Sequence, residues 1–207
     1  MIDRLHPTTP ATLSFAPESV VRAFLLERPQ GNFLIYNTDK LDEDAERLKG
    51  LGGATTQYLN HWHEAMFGPP PASLGAEIVL HEADAPEAVR YGVRGSTFSE
   101  RLTVDGDFEV IPIPGHTPGA SAYLWDTGEH RLLFTGDTIY LHNGKWRAGL
   151  LESSDRERSI ESLELIRELE FDVLVPWVVA AGDPYLMHVD PDERRTRIDA
   201  LLRWMRR

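Results

Sequence analysis

The chain is built largely from short apolar runs, mostly of four to six residues, that end at Gly, Pro, Asn or Asp. This pattern is typical of buried β-strands, because turn-forming residues interrupt the runs before they reach the length of a helix. It predicts eight strands, at Phe24–Glu27, Asn32–Tyr36, Thr55–Leu59, Ile78–Leu80, Phe108–Ile113, Ala122–Trp125, Arg131–Phe134 and Asp172–Val175.

Three segments repeat apolar residues at intervals of three or four, which predicts three helices. The first covers Leu41–Leu51, and the second covers Ser159–Glu170 with Ser154 as its candidate cap. The third follows Asp190-Pro191, a candidate N-cap and first-turn proline. Several strands follow one another through turns instead of alternating strictly with helices. This favours an α/β (α+β) fold, in which sheets pack together with helices outside, over a doubly wound parallel sheet.

Length and composition narrow the class of protein. A chain of 207 residues predicts one domain over residues 1–207, and 42% apolar with 26% charged residues is typical of a globular protein. The net charge of −12 argues against nucleic acid and membrane surfaces as partners and leaves a small-molecule substrate. No leader-like or 18-residue apolar stretch is present, so we expect a cytoplasmic protein. Without cysteine, any metal ion must be held by imidazole and carboxylate groups.

Two histidines follow the predicted strand Thr55–Leu59 closely, as His61-Trp62-His63. In extended backbone, residues i and i+2 point to the same side, so both imidazoles can face one point. The same alternation predicts that Glu64 points away from them. The pair is a candidate for metal binding, although two surface histidines beside a buried tryptophan would give the same pattern.

Two further turns place polar side chains at the ends of predicted strands. In Pro114-Gly115-His116-Thr117-Pro118-Gly119, the glycines and prolines predict a rigid turn that presents His116 in a fixed direction. In Thr135-Gly136-Asp137-Thr138, Asp137 follows the buried strand that begins at Arg131. Its carboxylate could cap a turn or bind a metal ion.

Taken in order, the three motifs resemble the metallo-β-lactamase superfamily, in outline from about Phe24 to Pro176. The resemblance implies an αββα four-layer sandwich and a hydrolase that depends on bound metal. It also implies roles for individual residues. His61, His63 and His116 match the histidines of the family's first metal site, and Asp137 matches the carboxylate that usually bridges two metals.

The sequence departs from this family at the second metal site. The first family motif usually reads His-x-His-x-Asp-His, but Ala65 and Met66 stand at its last two positions. The late Gly-His is missing too, because Pro176 is followed by Trp177-Val178-Val179. Since only unshared ligands of the second site are lost, the resemblance predicts one divalent metal ion per chain. Zinc is favoured, with iron and manganese as alternatives.

The predicted activity is hydrolysis of an ester, lactone, thioester or similar small substrate by a metal-activated water. Asp137 is the predicted catalytic residue, which orients the water and takes its proton. Two alternatives stay open. One is a mononuclear non-haem iron dioxygenase resembling persulfide dioxygenases, with His61, His116 and Asp137 as ligands. The other is a non-catalytic metal-binding member of the fold.

A second metal site could still be rebuilt from the late loop. Asp183, Tyr185 and His188 follow the strand after which the usual histidine is replaced, and each could reach the site. An ordinary surface loop would contain the same residues. The sequence names neither the substrate nor the oligomeric state.

Overall fold

The computed structural model describes residues 2–207. They form two compact units, the first ending at Ser99 and the second beginning at Glu100. The strands of the first unit are β1 (Leu5–Pro7), β2 (Ala11–Leu13), β3 (Ala16–Val21), β4 (Phe24–Leu26), β5 (Phe33–Ile35), β6 (Thr56–Tyr58), β7 (Glu77–His81) and β8 (Ser96–Phe98). Its helices are α1 (Leu41–Gly50), α2 (Ala85–Arg90) and two 3₁₀ turns, Trp62–Phe67 and Ala72–Leu74.

The main sheet of the first unit has six strands in the order β1-β4-β5-β6-β7-β8. β4 is antiparallel to both β1 and β5, whereas β5, β6, β7 and β8 run parallel. Parallel neighbours need crossover connections, and α1, the 3₁₀ turns and α2 supply them. The carboxyl ends of the parallel strands therefore share one edge of the sheet, where the segment that contains His61 begins.

The second unit has its own six-stranded sheet and two helices. Its elements are β9 (Leu102–Val104), β10 (Phe108–Pro112), β11 (Ser121–Asp126), β12 (Arg131–Gly136), β13 (Ile139–His142), β14 (Lys145–Ala148), α3 (Arg156–Glu168), β15 (Val173–Pro176), β16 (Val178–Ala180), β17 (Met187–His188) and α4 (Pro191–Met205). The main sheet has the order β17-β15-β12-β11-β10-β9 and is antiparallel except between β12 and β15. No helix in residues 2–207 is both long and apolar enough to cross a membrane.

The central strands of the second unit are buried on both faces. Tyr123 and Trp125 of β11 and Phe134 of β12 are fully buried, and Tyr123 stacks on Phe108 with ring centroids 5.7 Å apart. Burial on both faces explains why these strands are continuous apolar runs in the sequence and do not alternate with polar residues. The strand that carries Asp137 at its end is therefore anchored in a rigid core.

The structure confirms the α/β class, and all eight predicted strands are present with bounds that differ by no more than two residues. The three predicted helices are present as α1, α3 and α4. The cap of α4 is also confirmed, because the Asp190 carboxylate accepts a hydrogen bond from the Glu193 N–H at 2.8 Å. The prediction missed nine of the seventeen strands in residues 2–207, and helix α2. Most of these elements are too short to show a period.

The predicted cap of α3 is wrong by one residue. Asp155 is the N-cap, and its carboxylate accepts a hydrogen bond from the Arg158 N–H at 3.0 Å, so the helix begins at Arg156. The Ser154 hydroxyl instead donates to the backbone carbonyl of His116 at 3.0 Å. Either side chain is a good cap in isolation, and the long-range contact of Ser154 decides between them.

Candidate metal centre

His61 and His63 lie at the start of a 3₁₀ turn, not on a strand. β6 ends at Tyr58, and His61 is the N-cap of the turn Trp62–Phe67, with extended angles of φ −158° and ψ 164°. Strand alternation is therefore the wrong reason for the two imidazoles to converge. They are neighbours nevertheless, because one extended residue is followed directly by a tight turn. Their ring centroids lie 4.9 Å apart, with the ring planes at 90°.

Glu64 folds back against His61, contrary to the prediction that it points away. Its Oε1 lies 3.4 Å from Nδ1 of His61, and both side chains are 0% exposed. The same oxygen accepts hydrogen bonds from the N–H groups of Asn60 at 2.8 Å and His61 at 3.3 Å. Burial raises the pKa of Glu64, and the opposing contacts with His61 and Asn60 do not outweigh it. A carboxylate beside Nδ1 fixes the ring and makes Nε2 the atom suited to a metal ion.

Two other buried polar side chains hold the turn from outside. The Asn37 amide donates to the backbone carbonyls of Glu64 at 3.1 Å and Gly68 at 3.0 Å. The Asp84 carboxylate accepts the Trp62 N–H at 2.9 Å. Sequence reasoning missed all these supporting roles, because Asn and Asp are common in exposed turns and only the fold shows that these two are buried.

In the second unit, His116 lies in the turn between β10 and β11, and α3 supports it from behind. The Asp155 N–H donates to the carbonyl of Gly115 at 2.9 Å. Gly115 has φ +142°, and a Cβ there would lie 2.4 Å from Oγ of Ser159, so this position requires glycine. These contacts, together with the Ser154 hydroxyl, hold the backbone of His116 as the Gly-rich motif predicted.

Asp137 follows β12 directly and faces His116. Its Oδ2 lies 3.7 Å from Nε2 of His116. Behind them, the Gly149 carbonyl lies 2.9 Å from Nδ1 of His116. A Cβ on Gly149 would lie 2.1 Å from the backbone oxygen of Asp137 and 3.2 Å from Nδ1 of His116. Gly149, which the sequence did not indicate, therefore packs against the backbone of Asp137 and the imidazole of His116.

The donor set of this pair fits a metal ion. A carbonyl oxygen can only accept, so Nδ1 of His116 carries a proton, and Nε2 is the ring nitrogen that faces Asp137 and is suited to a metal ion. Nε2 and the carboxylate oxygen, 3.7 Å apart, are both groups that bind divalent metal ions. Zinc bonds to nitrogen and oxygen of about 2.0–2.2 Å are compatible with that separation.

The residues at the family's missing ligand positions lie in the hydrophobic core or at the surface. Ala65 is fully buried in a cluster with Leu59, Leu80, Ala88 and Val93. Met66 is 37% exposed, and Trp177 is buried. None of these three side chains can replace the missing carboxylate or imidazole.

The late loop contributes less than the sequence suggested. His188 pairs with Val173 in the β15–β17 ladder, near the start of β12, whereas Asp137 follows the end of β12. At about 3.3 Å per strand residue, roughly 20 Å separate the two ends. Asp183 accepts the Gly144 N–H at 3.1 Å, and Tyr185 lies in the loop between β16 and β17. His188 therefore lies too far from Asp137 to share a metal centre with it.

Comparison with known proteins identifies the family. The sequence model of the metallo-beta-lactamase superfamily matches residues 44–177, which include His61, His63, His116 and Asp137. The chain therefore belongs to the metallo-β-lactamase superfamily, a hydrolase-type family whose fold binds divalent metal ions. The motifs had predicted this membership.

Individual relatives agree with this class. The chain is 30% identical over 125 residues to a hydroxyacylglutathione hydrolase of Pectobacterium atrosepticum, and the match spans 59% of the chain and 41% of that relative. A metallo-beta-lactamase structure from Pontibacter korlensis is 16% identical, with a TM-score of 0.72, and the match covers 100% of this chain and 96% of that one. The ETHE1 structure from Myxococcus xanthus is 19% identical, with a TM-score of 0.65 and coverage of 96% and 89%. These structures confirm the metallo-β-lactamase fold.

Proposed function

We propose that the chain is a mononuclear metallohydrolase whose single divalent metal ion is bound by the residues at the family's first-site positions, His61, His63, His116 and Asp137. The observation that carries the proposal is the pair in the second unit, where a carboxylate oxygen and Nε2 of an imidazole held through Nδ1 face each other at 3.7 Å. The His61–Glu64 contact supports it, because carboxylates that orient ligand histidines are common at metal sites.

The residues of the chain divide the chemistry of hydrolysis among them. A bound divalent ion would lower the pKa of a water molecule toward neutrality and polarise a substrate carbonyl. Asp137, at the end of a rigid strand, is placed to orient that water and accept its proton. Gly149 and Glu64 keep the imidazoles of His116 and His61 from turning, so the ligand set needs no reorganisation during turnover.

A single metal ion follows from the residues that replace the second site. Ala65, Met66 and Trp177 offer no ligand atom, and His188 lies at the other end of β12. A single ion cannot stabilise both the attacking and the leaving oxygen of a phosphodiester as a pair of ions does, so we do not propose phosphodiester substrates. We propose small acyl substrates, as esters, lactones or thioesters, and the relative named hydroxyacylglutathione hydrolase supports an acyl compound.

The test measures metal content and activity in the same preparations. Protein purified without added metal and passed over a chelating resin is analysed for metals as wild type, His116→Ala and the control His142→Ala. His142 ends β13 and is in neither metal-capable group of the described residues. We expect about one zinc or manganese per chain in wild type and control and almost none in His116→Ala. Hydrolysis of an ester, lactone and thioester panel should be lost in parallel.

Other outcomes would favour a different function. One iron per chain with oxygen consumption would favour the dioxygenase, and a metal ion that supports no turnover would favour a non-catalytic role. Two ions per chain that both disappear in His116→Ala would contradict a mononuclear centre.

A further inference from the structure

A second group of metal-ligating side chains lies at the other end of β12. His130, Asp172 and His188 each offer one ligand atom, and these atoms all lie within 4.8 Å of one another. Nδ1 of His130 is 2.6 Å from Oδ2 of Asp172, and the rings of His130 and His188 have centroids 5.3 Å apart. All three residues belong to the second unit, so the cluster does not depend on the proposed catalytic site.

Three strands bring these residues together. His130 directly precedes β12, Asp172 directly precedes β15, and His188 ends β17. β12 and β15 run parallel, so their starts lie side by side, and β17 pairs antiparallel with β15 so that His188 lies opposite Val173. The register of the sheet thus sets the cluster, although 42 residues separate His130 from Asp172.

Backbone contacts orient the carboxylate for binding. Oδ1 of Asp172 accepts the Arg131 N–H at 2.6 Å, which leaves Oδ2 on the side of His130. The Asp172 carbonyl accepts the Val189 N–H at 2.9 Å, which fastens β17 beside it. Asp172 thus has one carboxylate oxygen bonded to the backbone and the other directed at an imidazole. Such contacts orient a ligand before the metal ion binds.

The positive charge of Arg131, the neighbour of His130, is balanced by two carboxylates. The Arg131 guanidinium lies near Asp126 at 3.8 Å and Glu170 at 3.4 Å. The side chains of His130 and Asp172 are 36% and 44% exposed, so an ion from solvent can reach them. Two imidazoles and one carboxylate suit zinc and similar divalent transition ions, and solvent can fill the remaining coordination positions.

We infer that His130, Asp172 and His188 form a surface site for one divalent transition-metal ion of the zinc class, separate from the catalytic centre. Binding requires the proton on Nδ1 of His130 to move to Nε2 so that the ion takes its place between imidazole and carboxylate. The ion links β12, β15 and β17 and holds the two-residue strand β17 in place. A metal count of two per chain is then compatible with a mononuclear catalytic centre.

The test titrates the holoenzyme with Zn²⁺ against a chromophoric chelator after the catalytic site has been filled. Wild type is compared with His188→Ala, with His130→Ala and with the control His142→Ala. We expect wild type and control to take up one further Zn²⁺ per chain. Affinity for that ion should fall at least about tenfold in either cluster variant, because even partners that only orient a ligand cost 10- to 100-fold. Activity on the ester panel should not change.

A structural readout separates a defined site from weak surface binding. Hydrogen exchange at the Val189 amide, which bonds to Asp172, should slow when Zn²⁺ is added to wild type and stay unchanged in His188→Ala. The inference is wrong if wild type takes up no further Zn²⁺, or if both cluster variants bind that ion as tightly as wild type.

Discussion

Residues that touch no metal ion decide the orientation of the proposed ligands. Glu64 lies against His61, and the Gly149 carbonyl lies against His116. Each contact removes rotational freedom from an imidazole before an ion binds, so metal affinity depends on both positions. Substitution of Glu64 or Gly149 tests how much the orientation of an imidazole contributes to metal affinity, because both histidine ligands are kept.

Glu64→Gln should lower metal affinity without unfolding the turn. Glutamine keeps an oxygen that can accept the backbone N–H groups of Asn60 and His61, but it removes the charge beside Nδ1. Chelator competition should show metal affinity about 10- to 100-fold weaker. Glu46, which is 89% exposed on α1, provides the matched control Glu46→Gln. Unchanged affinity in Glu64→Gln would show that the buried carboxylate only supports the fold.

Gly149→Ala should damage the site through the backbone. The new Cβ would meet the carbonyl oxygen of Asp137, a rigid group, so the chain must shift at a cost of about 1–3 kcal/mol. Both a lower Tm and weaker metal binding are expected. The control Gly50→Ala places its Cβ in open space at the end of α1 and should be neutral or slightly stabilising. Wild-type metal affinity in Gly149→Ala would contradict the role assigned to this glycine.

At the scale of elements, α3 supports the His116 turn and is itself held by α4. Arg167 of α3 donates a hydrogen bond to Asp199 of α4 at 2.6 Å. That bond lowers the pKa of Asp199, desolvation opposes the shift, and the charges of Arg167, Arg203 and Arg195 reinforce it. The pair therefore stabilises the fold above the ordinary carboxyl pKa and stops doing so as the pH falls through the lowered pKa.

Asp199→Asn should lower the Tm slightly at neutral pH, and the difference from wild type should vanish in acid. The effect is small because the pair is partly exposed, and added salt should reduce it further. Thermal melts from pH 7 to pH 3 check the trend, with the exposed Glu161→Gln on α3 as control. A difference that grows on acidification would mean that the contact does not act through charge.

At the scale of the whole molecule, metal binding and folding are linked. An ion that binds the native chain but not the unfolded one adds RT ln(1 + [L]/Kd) to the free energy of unfolding, about 2.7 kcal/mol at a hundredfold excess over Kd. The net charge of −12 also attracts cations and repels anionic partners at long range.

Removal of metal should therefore lower the Tm of the wild-type chain. Dialysis against a chelator is expected to lower the Tm, and one equivalent of Zn²⁺ should restore most of it. His116→Ala should start at the lower Tm and gain less from Zn²⁺ than wild type does, because only the surface site remains. Equal melting curves for chelated and metal-loaded wild type would argue against a resident ion.

The sequence by itself determined the family, the eight longer apolar strands and the residues proposed as ligands. Each motif is local, since a short apolar run ends in a Gly-bounded turn that carries His or Asp, and neighbouring residues alone specify that pattern. It also showed that Ala65 and Trp177 replace the family's second-site ligands.

Only the tertiary structure decided which groups orient those ligands. His116 and Gly149 are 33 residues apart, and His130 and Asp172 are 42 apart, so no local period connects them. Glu64 points toward His61, and not away from it as predicted, because the residues after His61 form a 3₁₀ turn and not a strand. Such contacts depend on strand register and burial, and no fixed spacing along the sequence reveals which distant residues these bring together.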